Sequence, residues 1–139
     1  MTAEASMEAR RGSCLCGALA FEVTGPIRGV GSCHCSKCRK VSGTNGNAQF
    51  IVRAHEFVWL RGSDQLVHYP RPDGWGAPRC ATCGSPAPHS FDGGERIWIP
   101  ACLMDDPLGT DIKQHIFCAS RADWDREAPD AVRFEEAAE

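Results

Sequence analysis

Short alternating runs of apolar and polar residues, broken by Gly, Pro, Asp or Ser, dominate the chain, and this period of two is the signature of half-buried strands. Leu19, Phe21 and Val23 alternate with Ala20 and Glu22, and Phe50 and Val52 repeat the pattern after the Gly-Asn stretch that ends at Asn47. Residues 57–60, 66–69, 96–99 and 111–118 each read as a further strand. No window of ten or more residues carries a helical period; Ser36 to Val41 is long enough for one short turn of helix. The expected fold is therefore all-β, built from small antiparallel sheets with little or no helix. Residues 1–11 read as a flexible polar leader, 12–134 as a single domain and 135–139 as a frayed tail.

Composition changes this picture at one point. The hydrophobic and charged fractions, 42% and 24%, are those of an ordinary globular protein, but nine cysteines in 139 residues are not. The first twelve residues lack the apolar stretch of a secretory signal, and no later run is long enough to span a membrane. A cysteine-rich chain of this kind is expected to be cytoplasmic, where thiols stay reduced and clusters of them bind metal. The formal charge is −3, and two thiolate-bound zinc ions would take it to about −6. A phosphate backbone requires clustered Lys and Arg, so nucleic acid is not an expected partner.

The cysteines fall into groups. Cys33, Cys35 and Cys38 form C-x-C-x-x-C; in extended chain the side chains of Cys33 and Cys35 point to one face, and a turn returns Cys38 toward them. Three thiolates suit zinc and fall one short of a closed tetrahedron, which is the arrangement of a catalytic site. The same three would form a structural site if His34, Cys102 or Cys118 completed them. His34 points to the opposite strand face, and Cys102 and Cys118 sit among apolar residues, where free cysteine behaves as a small buried hydrophobe. Cys80 and Cys83, followed by Gly84, form a C-x-x-C-G knuckle that needs a second pair to close a site. That pair is either Cys14 and Cys16 or two of the central three. A redox role for Cys80 and Cys83 would call for a βαβ pattern around them, which is absent. The pattern G-S-C-x-C occurs at Gly12–Cys16 and again at Gly31–Cys35, as if two strands each presented a thiol pair.

Taken together, G-S-C-L-C-G (12–17), C-H-C-S-K-C-R-K (33–40), S-G (42–43), C-x-x-C-G-S-P (80–86) and H-I-F-C-A-S-R-x-x-W (115–124) resemble the glutathione-dependent formaldehyde-activating enzyme family, which also supplies a domain of centromere protein V. The resemblance covers residues 11–134. It implies an all-β, zinc-held fold with a structural zinc on Cys14, Cys16, Cys80 and Cys83. It further implies a second zinc on Cys33, Cys35 and Cys38, where glutathione and formaldehyde combine into S-hydroxymethylglutathione. Arg121 stands where the family usually has lysine, and Asp130-Ala-Val-Arg-Phe replaces its common D-G-L-P-x-F ending.

The expected activity is thus that of a zinc-dependent carbon–sulfur lyase acting on adducts of glutathione and a small aldehyde. The alternatives are an enzyme for a different glutathione conjugate, or a non-catalytic zinc-stabilised module that binds a protein or a thiol. Lys37, Arg39 and Lys40 are candidate partners for the two glutathione carboxylates, and Gly43–Gly46 a candidate rim. His34, His55, His68, His89 and His115 are all candidate proton shuttles, none preferred. Trp59, Trp75, Trp98 and Trp124 are expected in the core or in a pocket wall.

Overall fold

The computed structural model describes residues 8–138. These residues include ten strands: β1 (Arg10–Ser13), β2 (Ala20–Val23), β3 (Val30–Cys33), β4 (Asn47–Arg53), β5 (Phe57–Arg61), β6 (Leu66–His68), β7 (Pro78–Cys80), β8 (His89–Phe91), β9 (Arg96–Pro100) and β10 (Ile112–Ile116). Among the described residues there is a single α-helix, α1 (Ser36–Ser42), with short 3-10 turns between some strands. The expected all-β fold is what is found. None of these helices is long and apolar enough to cross a membrane.

The strands form three sheets, ordered β1-β2-β5, β10-β3-β4-β9-β8 and β6-β7. Alternation explains how the first two close on each other. Phe21 and Val23 point from β2 to the same side, Phe50 and Val52 from β4, and Ile97 and Ile99 from β9; these six form one buried cluster. Phe57 stacks on Phe21 with ring centroids 5.4 Å apart, and Trp59 meets Phe57 edge-on at the same separation. The largest sheet departs from the expected antiparallel rule at one edge, where β10 runs parallel to β3. Because β10 arrives from the far end of the chain, a long connection replaces a hairpin and a parallel pairing becomes possible.

The leader expected over residues 1–11 has residues 1–7 outside the described part, and Arg10 and Arg11 are already in β1. Residues 135–138 carry no strand or helix. A second, smaller buried cluster forms around Cys14, Leu19, Cys80 and Ala87, with Trp59 and Leu66 packed against it. Cysteines, rather than large aliphatics, occupy its centre.

Candidate metal centres and the adjoining cleft

Two sets of thiols converge. Cys14 and Cys16 lie on the turn that follows β1, where Gly17 N donates to the Cys14 carbonyl at 3.0 Å. Cys80 ends β7, and the chain curls so that Gly84 N donates to the Cys80 carbonyl at 2.9 Å; Gly84 has φ +80°, which an L side chain resists. The four sulfurs of Cys14, Cys16, Cys80 and Cys83 all lie within 4.8 Å of one another. The Sγ separations of Cys14–Cys16 and Cys16–Cys80 are 3.7 and 3.8 Å. A tetrahedron with Zn–S bonds of about 2.3 Å has edges of about 3.8 Å, so zinc fits between them without rearrangement. Of the two partner pairs left open by the spacing, it is Cys14 and Cys16 that meet the knuckle.

Two of the four sulfurs, those of Cys14 and Cys83, are favoured as anions. Leu19 N donates to Cys14 Sγ at 3.2 Å. Cys83 is held down to about 5 by the hydroxyl and then the amide of Ser85. Cys16 is raised to about 11: its bond with the Ala18 amide works against this, but burial and the neighbouring thiols outweigh it. One thiol ionises easily and its neighbour then resists, because adjacent thiolates repel each other; a dication held between them would favour both as thiolates.

Cys33, Cys35 and Cys38 form the second set, also with sulfurs within 4.8 Å. Cys33 is the last residue of β3 and buried; Cys35 is the N-cap of α1, still extended at φ −68° and ψ 159°, so its side chain falls on the same face as that of Cys33. Its Sγ accepts from Cys38 N at 3.3 Å, taking the role a serine oxygen usually plays at a helix start. The first turn of α1 then brings Cys38 back. Burial, then Cys33 and Cys35, push the Cys38 thiol up to about 12. Cys35 goes the other way, since the Cys38 amide and the neighbouring thiols outweigh its burial. Three donors fit zinc and leave its tetrahedron one donor short.

The three sulfurs sit in the wall of a cleft of about 500 Å³, which also includes Lys37, Arg71, Asp73, Trp75, Phe117 and Ser120. The profile of one protein family, described as glutathione-dependent formaldehyde-activating enzyme, matches residues 9–120. The chain belongs to this family. It is also similar in fold to the crystal structure of a Rhodobacter sphaeroides protein from a structural-genomics programme, with TM-score 0.57 and 23% identity over 76% of this chain and 98% of that one. At that identity the likeness speaks to the fold.

Within this family fold, the other residues singled out by the sequence divide clearly. His34 is buried and points away from the sulfurs, as alternation requires: its Nε2 lies 2.8 Å from His115 Nδ1 and its Nδ1 3.1 Å from the Asn45 carbonyl. Asp125 stands 3.7 Å from the same Nδ1 and stays ionised, held below the carboxylate range by Asn45 and Arg121. His55 and His68 are exposed, and His89 is stacked on Trp98. Lys37 does line the cleft, whereas Arg39 braces the segment after β10 by donating to the Ser120 carbonyl at 3.3 Å. Lys40 does not line the cleft but an adjoining hollow, with Tyr69 and Pro72.

Four expectations need correction. Gly43–Gly46 does not line the cysteine cleft; Gly46 packs so closely on His34 that a Cβ would come within 2.9 Å of its Cε1. Cys102 and Cys118 are exposed rather than buried, because each lies on a 3-10 turn at the outside of the fold. Trp124 is 65% exposed, beyond the last strand and outside any core. The first G-S-C-x-C pattern carries its thiols on a turn and not on a strand.

Sequence reasoning passed over Arg71, Asp73 and Phe117. Arg71 and Asp73 come from the loop between β6 and β7, whose Pro70–Pro78 run has no periodicity to orient it. Asp73 ties this loop down by accepting from Trp75 N at 3.0 Å and from Arg71 at 2.6 Å. Phe117 is held at φ +56°, an unfavourable position for an aromatic residue, and is 62% exposed at the cleft.

Proposed function

We propose that the chain catalyses the reversible addition of the glutathione thiol to formaldehyde, giving S-hydroxymethylglutathione, in the cleft before Cys33, Cys35 and Cys38. Read in the direction of breakdown, this is a carbon–sulfur lyase reaction. The observation that carries the reading is a three-sulfur cluster, one donor short of a closed shell, in the wall of a cleft of about 500 Å³ with cations beside it. Cys33, Cys35 and Cys38 would hold the zinc of this site, and Cys14, Cys16, Cys80 and Cys83 a structural zinc. Zinc bound to three thiolates supplies mild Lewis acidity, which makes a substrate thiolate available at neutral pH.

The remaining work falls to the chain itself. Glutathione brings two carboxylates, and Lys37 and Arg71, which share Asp73 Oδ2 at 3.4 and 2.6 Å, are the cations of the cleft wall that would receive them. The Arg71 side chain is only 11% exposed and already oriented by Asp73, so little freedom is lost when it binds. Trp75 and Phe117 line the same cleft and offer the bound adduct apolar ring surface. In the reaction the S–C bond forms, the carbonyl π pair moves to oxygen, and the thiol proton ends there. No electrons are gained or lost overall.

Calorimetric titration of zinc-loaded protein with glutathione tests this assignment. Saturable binding is expected, lost in Cys35→Ser and weakened about tenfold in Arg71→Gln, the cost of one charge-assisted pair. A loaded parent protein that takes up no glutathione would refute the proposal.

A further inference from the structure

A smaller hollow adjoins the cysteine cleft behind Cys38. Cys38, Arg71 and Trp75 belong to the wall of the cleft and equally to that of a narrow throat of about 30 Å³, which Gly76, Pro78 and His89 also line. Gly76, Pro78 and His89 then open onto a second hollow of about 400 Å³, where elements of all three sheets meet. Its lining is mostly apolar, with Phe57 and Trp59 from β5, Leu66 from β6 and Ile97 from β9.

The throat is built of flat rings. Trp75 meets His89 edge-on with centroids 5.4 Å apart, and His89 stacks on Trp98 at 5.3 Å. Gly76 sets the clearance, because a Cβ at that position would stand 3.4 Å from His89 Nδ1. Trp75, 37% exposed, is the partition between cleft and throat. Formaldehyde has only hydrogens on its carbon and would occupy none of this space. An apolar chain on that carbon would exchange water for ring faces and aliphatic side chains, a gain proportional to the area covered.

We propose that the throat and the hollow behind it receive an apolar substituent on the sulfur-bound carbon, so that the substrate class extends to glutathione adducts of apolar aldehydes of about six carbons. This rests on the reading of the cysteine cleft given above. The chemistry is unchanged: the S–C bond forms, the carbonyl π pair goes to oxygen, and the thiol proton follows it. Gly76 and Trp75 become the residues that set specificity.

S-hexylglutathione and S-methylglutathione, stable thioethers that share the peptide and differ only beyond sulfur, make the test. Their affinities for zinc-loaded protein are measured by calorimetry, with tryptophan fluorescence reporting entry beside Trp75, Trp98 and Trp59. The hexyl compound is expected to bind at least about tenfold more tightly, since several methylenes leave water. Gly76→Val, which narrows the throat, and Ser90→Trp, which fills the hollow from an exposed position on β8, should each remove that advantage and keep methyl binding. Retained methyl binding also shows that the variants fold. Equal affinity of the two compounds for the parent would overturn the inference and leave the formaldehyde reading intact. An advantage that survives both substitutions would overturn the assignment to this throat, and failure of both compounds to bind protein that takes up glutathione would overturn the inference and leave the formaldehyde reading intact.

Discussion

Cys35 combines one role that the alternation of the chain made legible and one that it did not. Extended backbone through Cys33, His34 and Cys35 places the two sulfurs together and sends His34 to the other side, where it meets His115. The sulfur of Cys35 also caps α1, which follows only from knowing where the helix starts. Serine can make the same cap. Cys35→Ser is therefore expected to keep the fold, lose about one zinc equivalent per chain by elemental analysis, and lose the reaction. Arg71 and Asp73 were beyond reach for a different reason: their meeting with α1 spans 36 residues, through a loop with no period. His89 permits a prediction with a definite sign. Burial first, then the charges of Arg71 and His68, lower its pKa below the ordinary 6.5, although the Ser90 carbonyl pulls the other way. A histidine whose folded pKa is depressed favours the fold while neutral, so its contribution is complete above pH 6.5 and declines as pH falls below it. The melting temperature of His89→Phe should accordingly fall less between pH 7.5 and 5.5 than that of the parent.

At the scale of elements, β2, β4, β5, β6, β9 and β10 were readable from their apolar residues, β3 only from its cysteine spacing, and β8 not at all. β3 is Val-Gly-Ser-Cys and β8 is His-Ser-Phe, too brief and too polar to show a period. They become strands because neighbours offer a ladder: β3 lies between β10 and β4, and β8 extends the sheet beyond β9. The helix α1 buries none of its residues and has only seven, so packing contributes little to it. Its ends do more: Cys35 closes one, and at the other Gly43 sits at φ 70° with its N–H on the Arg39 carbonyl at 2.8 Å. No atom would obstruct a Cβ at Gly43, so the cost of Gly43→Ala is conformational alone, about 1 kcal/mol. Denaturant unfolding of the zinc-loaded protein should show that loss. Weakened zinc retention by Cys38 should accompany it.

Across the whole molecule, the thiols of Cys14, Cys16, Cys80 and Cys83 join a turn after the first strand to the end of the seventh, over 64 residues between Cys16 and Cys80. The second buried cluster is arranged around them, and its aliphatic members are few. In place of a larger core, the fold is expected to draw stability from the metal. Chelation should therefore separate the two sites: the three-sulfur site, with a donor position facing the cleft, loses zinc first with the fold intact, and loss of the four-sulfur site then unfolds the domain. Acid should act in the same order. Thiolates must take up protons to release zinc, so metal-dependent stability falls as pH falls. Circular dichroism followed together with zinc release reads both. Family membership was legible from the cysteine motifs, and the four-plus-three division of the cysteines came with that resemblance, since spacing alone left the partner of Cys80 and Cys83 open; the cleft that gives the three their setting was not legible, because α1, the Arg71–Trp75 loop and Phe117 reach it from distant parts of the chain.

The central claim is that the three-sulfur cleft joins glutathione to formaldehyde, and exchange-spectroscopy NMR tests it directly. Interconversion of glutathione and S-hydroxymethylglutathione would be followed with zinc-loaded parent protein, with Cys35→Ser and without protein. The account predicts exchange faster than the protein-free rate with the parent alone. Exchange at the protein-free rate, in a parent sample whose second zinc is verified, would contradict it.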